Sequence, residues 1–148
     1  MSVLRRTAAG STIDATTLQA YRETDYRVRA EPPFALRIDA PCPALAAEHA
    51  RRGVRCSAYV TACNPLGRPL EADANAALHA ALVRVLHERG LPFLEGIGQH
   101  PSNGWPGETS CLVFGPSREA AAALGEELRQ NALVWSGPDA VPRLVLLH

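Results

Sequence analysis

The order of strand-like and helix-like segments constrains the fold of this chain more than any other feature. Short apolar runs typical of strands alternate with two longer segments whose apolar residues recur at helical spacing. The order is β-α-β-β-α-β, which predicts an α+β domain built around a split βαβ, ferredoxin-like core over residues 56–136. The predicted strands are 56–62, 92–98, 109–115 and 131–136, and the predicted helices are 70–90 and 118–130.

Further elements are predicted on both sides of this core. A helix that begins after the N-cap Asp14, strands at 25–30 and 34–39, and a helix closed by Gly53 precede it, and a final strand follows it. A chain of 148 residues is long enough to bury one core without metals or disulfides. We therefore predict a flexible N-terminus over residues 1–13 and a single α+β domain over residues 14–148.

Charge and composition exclude several classes of partner. All fifteen basic residues are arginine, and fifteen acidic residues bring the formal net charge to zero. A neutral protein lacks the long-range field on which nonspecific nucleic-acid binding depends, and the strand at 109–115 lacks the basic and aromatic pattern that stacks RNA bases. The chain has no apolar run of about 18 residues. We predict neither a nucleic-acid partner nor a membrane.

The cysteines and the first residues bear on the compartment. Cys42, Cys56, Cys63 and Cys111 form no Cys-x-x-Cys pair and show no zinc-like spacing with the histidines. The first residues include a basic pair but no hydrophobic stretch, which argues against a secretory signal. These patterns predict a reducing, cytoplasmic location and neither a metal nor a cofactor.

One end of the predicted sheet gathers amides and a hydroxyl. In a ferredoxin-like fold the end of strand 56–62 lies beside the start of strand 131–136, and the first turns of helix 70–90 belong to the same end. Such a group of side chains can orient a small polar or anionic ligand through hydrogen bonds. The residues predicted to line this site are Thr61, Asn64, Asn75, Gln130 and Asn131.

A structural interpretation of the same residues stays open. Asn-Pro followed by Leu-Gly is a good turn sequence, in which Asn64 bonds its own backbone. Asn75 lies within the apolar stripe of its helix, so its amide needs a partner. Gln130 and Asn131 can serve as a helix cap. In that case the amides only stabilise the fold.

A second polar cluster, His100, Trp105 and Glu108, is expected at the opposite end of the sheet. A carboxyl group beside a histidine and an indole can act as a general acid or base with a shifted pKa. If the protein is an enzyme, we predict Glu108 as the general base with His100 behind it, and the two clusters must then lie closer than this topology places them. The alternative is an ordinary solvated loop.

Several segments together resemble a known family. From about residue 18 to its end the chain is similar to the bacterial family catalogued as Domain of Unknown Function 3293. That family brings no established activity or cofactor, but the resemblance implies that these polar motifs, including the one with Glu108, are its hallmarks. One departure is Cys63, where the family has a bulky or aromatic residue. The segments are LQAYRETDYRV (18–28), LRID (36–39), YVTACNP (59–65), Asn75, GETSCLVFG (107–115) and QNALVW (130–135).

The sequence leaves three functions open. The first is a domain that binds a small polar or anionic ligand at the amide site. The second is a noncatalytic module for interaction with another protein or for self-association, possible as a homodimer. The third is a small enzyme that uses Glu108. A concave pocket lined by the amides favours the first, and a filled, hydrogen-bonded junction favours the second.

Overall fold

The computed structural model describes residues 13–148, which form a mixed α/β domain with four α-helices and one seven-stranded antiparallel sheet. The predicted flexible N-terminus falls on residues 1–12, outside the described part, except for Ile13, which is buried with Leu18 and Leu146. The elements are α1 (Ala15–Glu23), β1 (Asp25–Val28), β2 (Phe34–Leu36), α2 (Pro43–Arg52), β3 (Ser57–Thr61), α3 (Ala72–Glu88), β4 (Phe93–Gln99), β5 (Glu108–Phe114), α4 (Arg118–Glu127), β6 (Ala132–Ser136) and β7 (Pro142–Leu146).

The strand order is β2-β1-β4-β5-β3-β6-β7, and every neighbouring pair is antiparallel. The four strands predicted over residues 56–136 are β3, β4, β5 and β6, which are neighbours in this order. The two helices predicted there are α3 and α4. The elements before them, α1, β1, β2 and α2, add two strands at one edge, and β7 adds one strand at the other. The α+β class and the extra elements at both ends of the chain are therefore confirmed.

The sheet carries a hydrophobic cluster on each face, as the alternation of side chains along strands requires. Leu82 and Leu86 of α3 and Leu124 of α4 pack against residues of β3 and β5, among them Val60 and Val113. On the opposite face α2 packs on the sheet through a fully buried leucine, and α1 forms a smaller cluster with β7. Both faces are thus covered along the central strands.

Local signals in the sequence set the helix ends. Asp14 accepts a hydrogen bond from the Thr17 N–H at 2.7 Å, and Ser117 accepts one from the Ala120 N–H at 3.1 Å. Gly53 closes α2 with a φ of +68°, a left-handed conformation in which a Cβ atom is unfavourable. The caps at Asp14 and Gly53 confirm the sequence-based assignments.

The relative position of the two polar clusters differs from the prediction. Thr61 at the end of β3 pairs with Ser110, and Glu108 begins the same strand, β5. Because β5 runs antiparallel to β3 and lies directly beside it, its first residues meet the last residues of β3. β4 runs parallel to β3 on the far side of β5, so His100 follows at this end too. The prediction that Glu108 and His100 lie at the opposite end was wrong.

Candidate functional site

The loop after β3 is held by a reciprocal pair of amides. Asn64 has a left-handed backbone, with a φ of +49°, and leads into a 3₁₀ turn at Pro65–Gly67. Its Oδ1 accepts hydrogen bonds from Asn75 Nδ2 at 2.8 Å and from the Leu70 N–H at 3.0 Å. In return, Asn75 Oδ1 accepts the Asn64 N–H at 2.9 Å. The two amides therefore fix the loop to the first turn of α3.

One donor of the Asn64 side chain points away from this pair. Asn64 Nδ2 donates to Glu108 Oε2 at 2.7 Å. The residues are 44 positions apart in the chain, and the antiparallel pairing of β3 and β5 brings them together. The asparagine thus links the structured loop to the carboxyl group at the start of β5.

Thr61 and Gln130 also bond to backbone groups of the loop. Thr61 Oγ1 donates to the Thr109 carbonyl at 2.8 Å and accepts the Cys63 N–H at 3.0 Å. Gln130 is buried, and its Nε2 donates to the carbonyls of Cys63 at 3.0 Å and Leu128 at 3.3 Å. The Thr61 hydroxyl and the Gln130 Nε2 group are therefore engaged within the fold.

Asn131 lies on the α1 side of the same loop. Its side chain lies near the hydroxyl of Tyr21, a residue of α1. Gly67, with a φ of +74°, lies so close to it that a Cβ atom there would come within 3.1 Å of Asn131 Nδ2. The Tyr21 carbonyl in turn accepts the Tyr26 hydroxyl at 2.6 Å. Helix α1 therefore forms one wall of the region around Glu108.

The carboxyl group of Glu108 is the chemically distinctive feature of this region. Glu108 is partly buried, and desolvation raises its pKa above the usual value, although the bond from Asn64 opposes part of that shift. Burial also raises the pKa of Tyr21 and of Tyr26, and the charge of Glu108 adds to both shifts. Oε1 of Glu108 has no hydrogen-bond partner among residues 13–148. This oxygen can accept a bond from a ligand, or donate one when the acid is protonated.

His100 lies near this end of the sheet, but both of its ring nitrogens are occupied. Its Nε2 bonds Glu23 Oε1 at 2.8 Å, and its Nδ1 accepts the N–H groups of Ser102 at 3.1 Å and Asn103 at 3.0 Å. The imidazole orders the loop after β4. The structure places it toward α1, and Trp105 of the same loop is 51% exposed.

Glu108 and all five residues of the predicted ligand site lie at one end of the sheet. His100 lies apart from them and bonds Glu23 of α1. Sequence analysis did not single out Tyr21 and Glu23 as site residues. Tyr21 has the spacing of an ordinary helix residue, and the available signal was its presence in the segment 18–28 that carries the family resemblance. Glu23 had no signal, because its partner His100 lies 77 positions away.

Three further features of the described residues bear on function: metal-binding groups, thiols and membrane-spanning helices. Within residues 13–148 no group of three or more His, Cys, Asp or Glu side chains is arranged to hold a metal ion. Cys63 and Cys111 are buried, and burial raises the pKa of Cys111 to about 12, which disfavours the reactive thiolate. None of the described helices is long and apolar enough to cross a membrane.

Comparison with known proteins gives one match. The model of a family described as "protein of unknown function (DUF3293)" matches residues 60–133, which is half of the chain. The matched region runs from β3 to the start of β6 and includes Glu108 and the five amide and hydroxyl residues around it. No curated protein and no solved structure matches the chain.

Proposed function

The chain belongs to the family described as protein of unknown function DUF3293, and from the geometry around Glu108 we propose that it binds a small polar molecule through this carboxyl group. The ligand contacts Glu108 Oε1, while Asn64 holds Oε2 in place. Ligand-binding sites use a few placed polar groups to fix the orientation of a ligand.

The observation that carries this proposal is that Glu108 is an acid at a position where the amide side chain of a glutamine would destabilise the fold less. Asn64 Nδ2 needs only an acceptor oxygen, and the carbonyl of a glutamine would supply one. The carboxyl group instead brings a charge that burial disfavours, as its raised pKa shows. A residue that costs stability at a solvent-accessible polar site is typical of a functional position.

The surrounding residues have two roles in this proposal. Four side chains position the loop and the carboxyl group through hydrogen bonds to each other and to the backbone. They are Thr61, Asn64, Asn75 and Gln130. In this proposal the ligand also contacts Asn131 and the Tyr21 hydroxyl, which lie near Glu108. Because a carboxylate repels anions, Glu108 favours a ligand that donates hydrogen bonds over an anionic one.

A second candidate function is proton transfer by Glu108 to or from a bound substrate. It is favoured by the raised pKa, since a general acid or base works best when its pKa lies near the operating pH. In this case Glu108 is the catalytic residue, and Asn64 is a positioning residue. His100 is then absent from the reaction, because both of its ring nitrogens are engaged.

Thermal unfolding of wild type and Glu108→Gln, each with a panel of amines, amino acids, sugars and nucleosides, tests the proposal. We expect at least one compound to raise the melting temperature of the wild type and to lose that effect in Glu108→Gln. A ligand at about 100 times its Kd stabilises a protein by roughly 2.7 kcal/mol. Glu88→Gln removes the same charge at an exposed position at the far end of α3 and should respond as the wild type does. Equal responses of wild type and Glu108→Gln to every compound would refute the proposal.

The alternative of a noncatalytic interaction module is favoured by a different observation. The amides form a hydrogen-bonded junction, and Leu70, Ile97 and Trp105 are large apolar side chains exposed in the described region. Such residues can take part in contacts with a second copy or another protein. Light scattering at increasing protein concentration distinguishes this case, because a homodimer then accumulates while a ligand-binding monomer does not.

Two further proposals concern the topology of the core and the location of the protein in the cell. We infer a ferredoxin-like core, supported by the order β6-β3-β5-β4 and by the helices α3 and α4 that pack on one face of these strands. A cytoplasmic location is supported by the four cysteines, which are all free thiols.

A further inference from the structure

A second candidate site lies outside the Glu108 region, in a groove between α1 and the loop after β4. The groove is open and has a volume of about 570 Å³, which is within the range of small-molecule sites. Its walls include Gln19 and Glu23 of α1, and Asn103 and Trp105 of the loop. Neither Glu108 nor any of the five amide and hydroxyl residues lines it, so a ligand there does not depend on the proposed function.

The groove contains the carboxyl group of Glu23, which is hydrogen-bonded to His100. His100 Nδ1 accepts two backbone N–H groups, from Ser102 and Asn103, so the hydrogen of the imidazole lies on Nε2 and is donated to Glu23. The imidazole therefore holds the Glu23 carboxyl group through a hydrogen bond from its Nε2–H.

The other partner of Glu23 is an uncharged amide. Gln19 Nε2 donates to Glu23 Oε2 at 2.9 Å. These two bonds hold the pKa of Glu23 below its usual value, so the carboxyl group is ionised at neutral pH. Its side chain remains 47% exposed, and no arginine lines the groove in the described part of the chain.

The other distinctive side chain of the groove is an exposed indole. The main chain of Trp105 is anchored, because its N–H bonds Asn103 Oδ1 at 2.9 Å and its carbonyl accepts Gln99 Nε2 at 3.0 Å. An exposed indole that lines a groove can offer a π face to a ligand, and that face attracts cations. Together, an ionised carboxylate and an indole select a positively charged organic group over an anion or a neutral molecule.

From this combination we propose that the groove between α1 and the loop after β4 binds a small organic cation of the alkylammonium class. The cation packs against the Trp105 ring, and the Glu23 carboxylate supplies the opposite charge. His100 and Gln19 act as positioning residues, since both hold that carboxylate at the groove.

Titration with choline, followed through the NMR signal of the Trp105 indole N–H, tests the proposal. The signal is assigned by its loss in Trp105→Phe, which separates it from that of Trp135. The comparison ligand is 3,3-dimethyl-1-butanol, which has the shape of choline without its charge. We expect choline to shift the indole signal with saturation, and the neutral compound to bind at least about threefold more weakly.

Variants locate the site and separate it from the Glu108 region. Glu23→Gln should weaken choline binding by at least about threefold, and so should Trp105→Ala, monitored through backbone amide signals of the loop. Glu108→Gln should bind choline as the wild type does, and Glu119→Gln, at an exposed position on α4, is the control for charge alone. The proposal is overturned if choline causes no saturable shift, if the neutral compound binds equally well, or if Glu23→Gln binds choline unchanged.

Discussion

Two loops leave the same end of the sheet, and they use polar side chains in opposite ways. The loop between β3 and α3 directs its amides inward, so that Asn64 and Asn75 bind each other and Gln130 binds the loop backbone. The loop between β4 and β5 also orders itself, through His100 and its neighbours, but it leaves an open groove beside an exposed indole. Several amides in one place are therefore weak evidence for a ligand, because they can bond one another and the backbone instead.

Glu108 shares a property with each of the two loops. It accepts one bond from the inward-facing loop, yet one of its oxygens has no partner in the described part of the chain. The amides of the loop after β3 thus stabilise the fold, whereas the fold holds Glu108 in position. This difference can be tested by comparing what each substitution does to stability.

The largest effect is expected from Asn64→Ala. This change removes three side-chain hydrogen bonds, to Glu108, Asn75 and the Leu70 N–H, and leaves the partly buried groups of Glu108 and Asn75 without this partner. We expect a loss of about 2–3 kcal/mol in the free energy of unfolding, measured with urea. Asn64→Gly is the matched control, since glycine tolerates the left-handed backbone at this position and so isolates the side-chain bonds. A loss below about 0.5 kcal/mol in both variants would show that the amide pair does not hold the loop.

A smaller loss is expected from Gln130→Ala. The buried amide donates to the carbonyls of Cys63 and Leu128, and both acceptors lose this bond. We expect a decrease of about 1–2 kcal/mol in the free energy of unfolding. Because Gln130 bonds the carbonyl of Cys63, the neighbour of Asn64 in the same loop, the loss in the double variant should differ from the sum of the two single losses. Strict additivity would indicate that the two amides support independent parts of the structure.

The smallest change in stability, and one of opposite sign, is expected from Glu108→Gln. The folded pKa of Glu108 is raised above its unfolded value, so the folded state loses stability as the pH rises through the folded pKa. Glutamine keeps the acceptor for Asn64 and has no charge to bury. We expect Glu108→Gln to melt above the wild type at neutral pH, with the difference closing as the pH falls below the usual pKa of glutamate. A variant less stable than the wild type at neutral pH would make Glu108 a structural residue.

The sequence by itself determined the elements of this fold and part of the site. The caps at Asp14, Gly53 and Ser117, the order of helices and strands, and the need of Asn75 for a partner are local properties, set by side-chain spacing and backbone conformation within a few residues. Only the tertiary structure decided which polar groups meet. The antiparallel pairing of β3 with β5 placed Glu108 beside Asn64, and the path of α1 placed Glu23 beside His100. Contacts between residues 44 and 77 positions apart depend on strand direction and helix packing, which no local pattern encodes.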